Sequence, residues 1–305
     1  MKKPNLLIVG AQKSGTTSLH NYLSQHPDVY MSEKKELVYF SREHRPFSVP
    51  NKEDHIGYLW YLKRLSINSD GEYLEYFSKH EKKKIVGESS AEYLYYFNSA
   101  QNIYRFNPHM KIIMILKNPV DRAFSAYSDL KFKLPDIGTF SEELEKENDK
   151  ISQLYHYKWH FKAVGMYYQQ VKTYLEHFPK DQIKIILFED FINDTSAVMK
   201  EVCEFLGINH SFYQGYNFEK HNFSGVPKNK VLSDWVNRKN PIKNLFKKLI
   251  PNSIRKRIKR RVNKINLAKE NMDAEIQIKL RQFYKNDIEQ LENMIKIDLS
   301  QWKGD

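Results

Sequence analysis

Disulfide chemistry is the first thing this chain of 305 residues lacks: it has one cysteine, Cys203, in the helix-like stretch VMKEVCEFLG. One thiol has no intrachain partner, so a disulfide-stapled fold is excluded and a reducing cytoplasm is the expected compartment. Long apolar runs are missing too. No stretch approaches the ~20 apolar residues of a membrane span, and the N-terminal MKKPNLLIVGAQKSG has an apolar run too short for a signal peptide. A soluble, cytoplasmic chain is expected. There is no internal repeat and no long low-complexity linker, which points to a single domain over 1–305. Residues 240–269 lack any acidic side chain. What is present is material for a large core, 41% apolar and 14% aromatic residues, together with a formal net charge of +12. That surplus calls for an anionic partner and by itself does not choose among nucleic acid, membrane, nucleotide and acidic glycan.

Short apolar runs recur between longer amphipathic ones: NLLIV (5–9), KIVGE (84–88), KIIMIL (111–116) and IKIILF (183–188). Each is rich in branched residues and almost uninterrupted, as strands covered on both faces are. Helices are predicted between them, in TTSLHNYLSQH, PVDRAFSAYSDLKF and DTSAVMKEVCEFLG, the last with Asp194 as its N-cap and Gly207 as its stop. This alternation predicts an α/β fold with a mainly parallel central sheet flanked by helices. The charged, aromatic segment from about 140 to 174 reads as a helical insertion between strands.

The most informative stretch is GAQKSGTT, residues 10–17, after the first strand and before the first helix. Two glycines five apart are the frame of a phosphate loop, G-x-x-x-x-G-K-[ST], but Thr16 stands where the lysine belongs and the lysine lies inside the loop, at Lys13. Backbone amides of Ser14, Gly15, Thr16, Thr17 and Ser18 at the helix start suit an anion. An ordinary strand-to-helix turn rich in small residues is the plainer alternative. No strand-terminal aspartate offers itself as a magnesium ligand, so no metal is expected; a donor with less charge on the transferred group needs less metal.

At this point the sequence resembles the sulfotransferases that use 3′-phosphoadenosine 5′-phosphosulfate (PAPS), and among them bacterial members related to heparan-sulfate and other carbohydrate sulfotransferases. VGAQKSGTTSLHNYLSQHP is similar to the family's 5′-phosphosulfate loop, and KIIMILKNPVDRAFSAY to its 3′-phosphate element. GESSAEYLY, IKIILFEDF and LRQFYKNDIEQLENMIKIDLSQW are similar to further family stretches. The resemblance implies a P-loop-like phosphosulfate site. Lys13 would act at the donor's bridging oxygen, with Lys117 and Ser125 at its 3′-phosphate. The family's strand-ending residue is usually arginine; Lys117 offers a point charge instead, and Arg122 is the expected compensation. The lysine-glycine-arginine loop that closes over the cofactor in animal relatives has no clean match between Lys256 and Lys269.

Transfer to a hydroxyl also needs a base. In KKELVYF (34–40) Glu36 matches the family's position for it, and the plainer reading is one more solvated charge beside Lys34 and Lys35. Glu88 and Glu92 are expected to be structural or to bind substrate. The resemblance therefore implies sulfuryl transfer from PAPS, leaving adenosine 3′,5′-bisphosphate, to a hydroxyl-bearing acceptor such as a glycan or glycolipid. Two rivals stand beside it: a P-loop kinase or nucleotide hydrolase, and a non-enzymatic nucleotide- or membrane-binding module. In the basic segment Ile254, Ile258, Val262 and Ile265 recur at helical spacing among lysines and arginines. It reads as a cationic cap over the cofactor cleft, or as a peripheral contact with a membrane or anionic glycan. No recognition motif for nucleic acid accompanies the charge, and none is expected as a partner.

Overall fold

A computed structural model describes residues 3–41, 54, 57, 59, 66–80, 82–218, 226–227, 267–268 and 271–304. The basic segment at 240–269 therefore lies, apart from two residues, outside the described residues.

Five parallel strands form one sheet in the order β2-β3-β1-β4-β5: β1 is Leu6–Gly10, β2 Val29–Met31, β3 Ile85–Ser89, β4 Lys111–Leu116 and β5 Ile183–Leu187. Four of them are the apolar runs of the sequence; β2 is the addition. It has three residues, with Tyr30 half-buried between Val29 and Met31, too short a run to leave a periodic signal.

Strand alternation feeds two cores. Leu7, Val9, Ile112, Met114 and Leu116 face a layer that contains Tyr127, Tyr167, Tyr174 and Tyr284. Leu6, Ile8, Ile113 and Ile115 face the other layer, with Leu19 and Leu23 of the helix Thr16–Leu23 and Val198, Val202 and Leu206 of the helix Thr195–Leu206. Both faces are covered, which is why the strands read as uninterrupted apolar runs. The boundaries of Thr195–Leu206 follow the expectation: the Asp194 carboxylate accepts from the Ala197 N–H at 2.9 Å, and Gly207 takes a left-handed φ of 68°. Within 140–174 lie the short helices Phe140–Glu145 and Glu147–Ser152, two 3-10 turns, and the start of the helix Tyr167–His177. The final long helix, Ala274–Ile295, buries Leu280, Tyr284, Asp287, Ile288 and Leu291, a stripe at helical spacing, against the first layer. Among the described residues no helix is long and apolar enough to cross a membrane.

Candidate active site

In a parallel sheet of this kind ligands bind beyond the carboxyl ends of the strands, and the loop after β1 lies at such an end. Lys13 has a φ of 68° and Gly15, the N-cap of the helix Thr16–Leu23, a φ of 90°. Any side chain at Gly15 would be strained by that φ, and a Cβ there would also stand 3.3 Å from the Phe188 ring. The Ser14 N–H donates to the Ala11 carbonyl at 3.3 Å and the Ser18 N–H to the Gly15 carbonyl at 2.9 Å, so two of the five expected amides are engaged within the loop. No side chain caps the helix. The first-turn N–H groups of Thr16 and Thr17 therefore remain the orphan donors of an uncapped helix start, at the positive end of its dipole. The Lys35 ammonium adds a cation to the loop by donating to the Thr17 hydroxyl at 2.8 Å.

The Lys13 ammonium donates to Asp129 Oδ1 at 3.2 Å, and Lys133, one turn after Asp129, pairs with the other oxygen. Burial pushes the Asp129 carboxyl up, but Lys13 and Lys133 pull it down further and hold it below the usual carboxylate range. Asp129 escaped the sequence reading, although it follows Ser125 by four residues and so shares its face of the helix Pro119–Lys133.

Lys117 leaves the end of β4 with its ammonium 4.9 Å from the centroid of the Phe188 ring. Burial, assisted by Lys13 and Arg122 and opposed by Asp121 and Glu189, holds its pKa below the ordinary lysine value. Its carbonyl accepts from the Tyr167 hydroxyl at 3.0 Å. The next residue is fixed as well: Asn118 caps the helix through the Val120 N–H, and its own N–H donates to Glu189 at 3.0 Å. The other Glu189 oxygen accepts from the Trp302 indole at 3.3 Å. Ser125 is buried two turns into the helix.

Arg122, expected beside Lys117 on a phosphate, has its guanidinium engaged within the protein. It is fully buried, its guanidinium donating to Gln12 Oε1 at 3.3 Å and to the Phe161 carbonyl. A buried guanidinium must find acceptors; fixed oxygens of the β1 loop and of the insertion supply two, and its Nε–H is left without one.

Glu36 sits in a loop zipped onto the chain that leaves β3. Its N–H donates to the Ser89 carbonyl at 2.9 Å, the Val38 N–H to the Ser90 hydroxyl at 3.1 Å and the Tyr39 N–H to the Tyr93 hydroxyl at 2.9 Å. These bonds hold Glu36 and Val38 at φ 57° and 55°, a left-handed conformation costing roughly 1 kcal/mol or more per residue. One oxygen of the Glu36 carboxylate accepts from the Ala91 N–H at 3.0 Å. Glu88 and Glu92 lie behind this loop, fully buried. Glu88 accepts from Ser90 and Tyr93, both at 2.7 Å, while Glu92 takes the Ser41 hydroxyl and stands 3.7 Å from His156. They tie the loops together.

Lys13, Gly15, Thr16, Thr17, Ser18, Glu36 and Lys117 line one cleft of about 470 Å³. Ser14, Ser125 and Arg122 do not line it. The cleft also takes in Asp129, Lys133, Lys158 and the aromatic rings of Tyr22, Phe188 and Phe191. Lys158 carries no motif; only the packing of the insertion brings it to the cleft.

The sequence profile of the sulfotransferase family matches residues 4–211. A crystal structure of a sulfotransferase from Alicyclobacillus acidocaldarius is 33% identical in sequence and superposes with a TM-score of 0.75, covering 99% of this chain and 100% of that one. Mouse heparan sulfate glucosamine 3-O-sulfotransferase 3A1 is 27% identical over 205 residues, 67% of this chain and 46% of that protein. A membrane-associated sulfotransferase of Dictyostelium discoideum is 24% identical over 324 aligned positions, covering 80% of this chain and 63% of that protein. The chain thus spans about half to two thirds of the length of these curated relatives.

Proposed function

Because the chain belongs to the sulfotransferase family, we propose that it transfers a sulfuryl group from PAPS to a hydroxyl on a carbohydrate, a glycan or glycolipid. One observation carries the reading: a phosphate loop without the usual lysine position, a lysine inside that loop and a loop-borne glutamate all line the same cleft. The residues suit a phosphosulfate donor. A Cβ at Gly15 would crowd the cradle, the helix start offers uncapped N–H groups, and Lys13, Lys35 and Lys117 supply charge around it. When bound, the donor supplies the activated sulfuryl group. Glu36 takes the proton of the acceptor hydroxyl at its carboxylate. Lys13 keeps positive charge at the loop, where the leaving phosphate gains negative charge. Lys117, with Ser125 further along the helix, holds the 3′-phosphate. The carbohydrate acceptor rests on the names of the relatives, a heparan sulfate enzyme among them. A cytoplasmic location is part of the proposal and rests on the single, buried thiol of Cys203.

Calorimetry tests the donor: adenosine 3′,5′-bisphosphate should bind without added metal and more tightly than Mg-ATP, and the reverse order would make the protein a kinase or nucleotide hydrolase. Radiolabelled PAPS offered with glycan, glycolipid and phenol acceptors identifies the acceptor. Glu36→Gln keeps size and removes the basic carboxylate, so turnover should fall on the order of 10²- to 10⁴-fold with adenosine 3′,5′-bisphosphate binding intact. Near-normal turnover in that variant would reduce Glu36 to a surface charge.

A further inference from the structure

Among the titratable groups of the cleft to which the proposed chemistry gives no task is Lys158. It stands on the 3-10 turn Tyr157–Trp159, and that turn is anchored from behind. The His156 N–H donates to Asp54 Oδ2 at 2.6 Å and the Trp159 indole to Asp54 Oδ1 at 3.0 Å, Asp54 being fully buried. Breaking bonds to a buried carboxylate is costly, so the backbone of Lys158 has little freedom to withdraw. Its side chain lines the same cleft as Glu36, Lys13, Asp129 and Lys133.

We propose that Lys158 is the positioning residue of the proposed base: its ammonium holds Glu36 in the cleft as an ionised, oriented carboxylate. The inference rests on the reading of Glu36 as that base. Among the described residues, charged groups acting on Lys158 come from three packed segments: Lys133 and Asp129 from the helix Pro119–Lys133, Glu36 from the loop after β2, and Glu92 from the chain after β3. Of these carboxylates Glu36 and Asp129 line the cleft with Lys158, whereas Glu92 does not, and Asp129 already holds both Lys13 and Lys133. Burial, with the like charge of Lys133, pushes Lys158 down to about 8 against the pull of Glu36, Asp129 and Glu92. A lysine kept charged at such a cost stabilises the ionised form of a neighbouring carboxylate, and it stops doing so when it loses its own proton.

That conditional support is measurable without donor or acceptor. In full-length protein carrying ¹³C-labelled glutamate carboxyls, the Glu36 signal is assigned by its loss in Glu36→Gln and followed by NMR against pH. Wild type should show the acid titration of Glu36 and a second, smaller displacement near pH 8 as Lys158 deprotonates. Lys158→Met should abolish the second step and raise the acid midpoint by roughly one unit or more. Lys158→Arg keeps the charge, so it should abolish the second step and leave the acid midpoint where it was. A Lys158 that merely packs would move neither feature. The proposal is overturned if the Glu36 signal passes pH 8 without a step and keeps its acid midpoint in Lys158→Met. Undiminished sulfuryl transfer by Glu36→Gln is a different failure: it overturns the reading of Glu36 as base, and the role of Lys158 with it.

Discussion

Replacing Asp287 with asparagine removes one buried carboxylate and preserves the shape of the side chain. The helix Tyr167–His177 has no side-chain cap of its own. Asp287, on the helix Ala274–Ile295, supplies one from a distance: its carboxylate accepts from the Tyr167 N–H at 2.8 Å and from the Tyr168 N–H at 3.2 Å. Burial pushes its carboxyl up to about 6, more than those two N–H groups pull it down. With an ordinary aspartate near 4 in the unfolded chain, the folded state binds the extra proton between about pH 4 and pH 6. Stability contributed by this group is therefore lost as pH rises through that window. The two-unit difference is worth roughly 3 kcal/mol at pH 7. Asparagine escapes that loss, but its amide nitrogen opposes one backbone N–H, at a cost of about 1 kcal/mol at any pH. Asp287→Asn should thus be slightly less stable than wild type at pH 4 and about 2 kcal/mol more stable at pH 7. Urea unfolding of both proteins at the two pH values measures the difference while the other titrating groups cancel. A wild type more stable than the variant by the same margin at both pH values would refute the argument. The consequence reaches the cleft, because Tyr167, fixed by this cap, donates its hydroxyl to the carbonyl of Lys117.

Two further outcomes concern the donor site. Lys13→Ala should lower turnover far more than it weakens binding of adenosine 3′,5′-bisphosphate, since only stabilisation gained in the transition state changes the chemical step; unchanged turnover with a raised Michaelis constant would assign Lys13 to anchoring. Lys117→Ala should erase the preference for adenosine 3′,5′-bisphosphate over adenosine 5′-phosphate, whereas Lys117→Arg should keep or strengthen it, because a guanidinium forks onto phosphate and also stacks on Phe188. An alanine variant that still discriminates like wild type would move the 3′-phosphate site elsewhere.

The sheet was legible where burial on both faces made a strand a run of apolar residues, as in β1 and β4. It was illegible in β2, where three residues pair with Ile85, Val86 and Gly87 through backbone bonds that leave no side-chain pattern. Lys13, Gly15 and Glu36 were legible for another reason. The loop's glycine spacing singled out the stretch that holds the first two, and the family resemblance marks the third.

What the sequence withheld was the disposition of charge. Arg122, Lys133 and Lys158 are all cations within or near the 119–174 region, and nothing in residue type separates them. Packing does. Arg122 turns inward to satisfy the Phe161 carbonyl, Lys133 folds back onto Asp129, and Lys158 is carried into the cleft by a turn pinned to Asp54. For Arg122 and the turn of Lys158 the outcome depends on where a buried acceptor lies, and that is fixed by contacts between residues more than 30 positions apart for Arg122 and more than 100 for the turn, whereas Lys133 finds Asp129 one turn away on its own helix. A motif read along the chain can therefore fix the donor loop, whereas the charges that tune the proposed base have to be read from the packed structure.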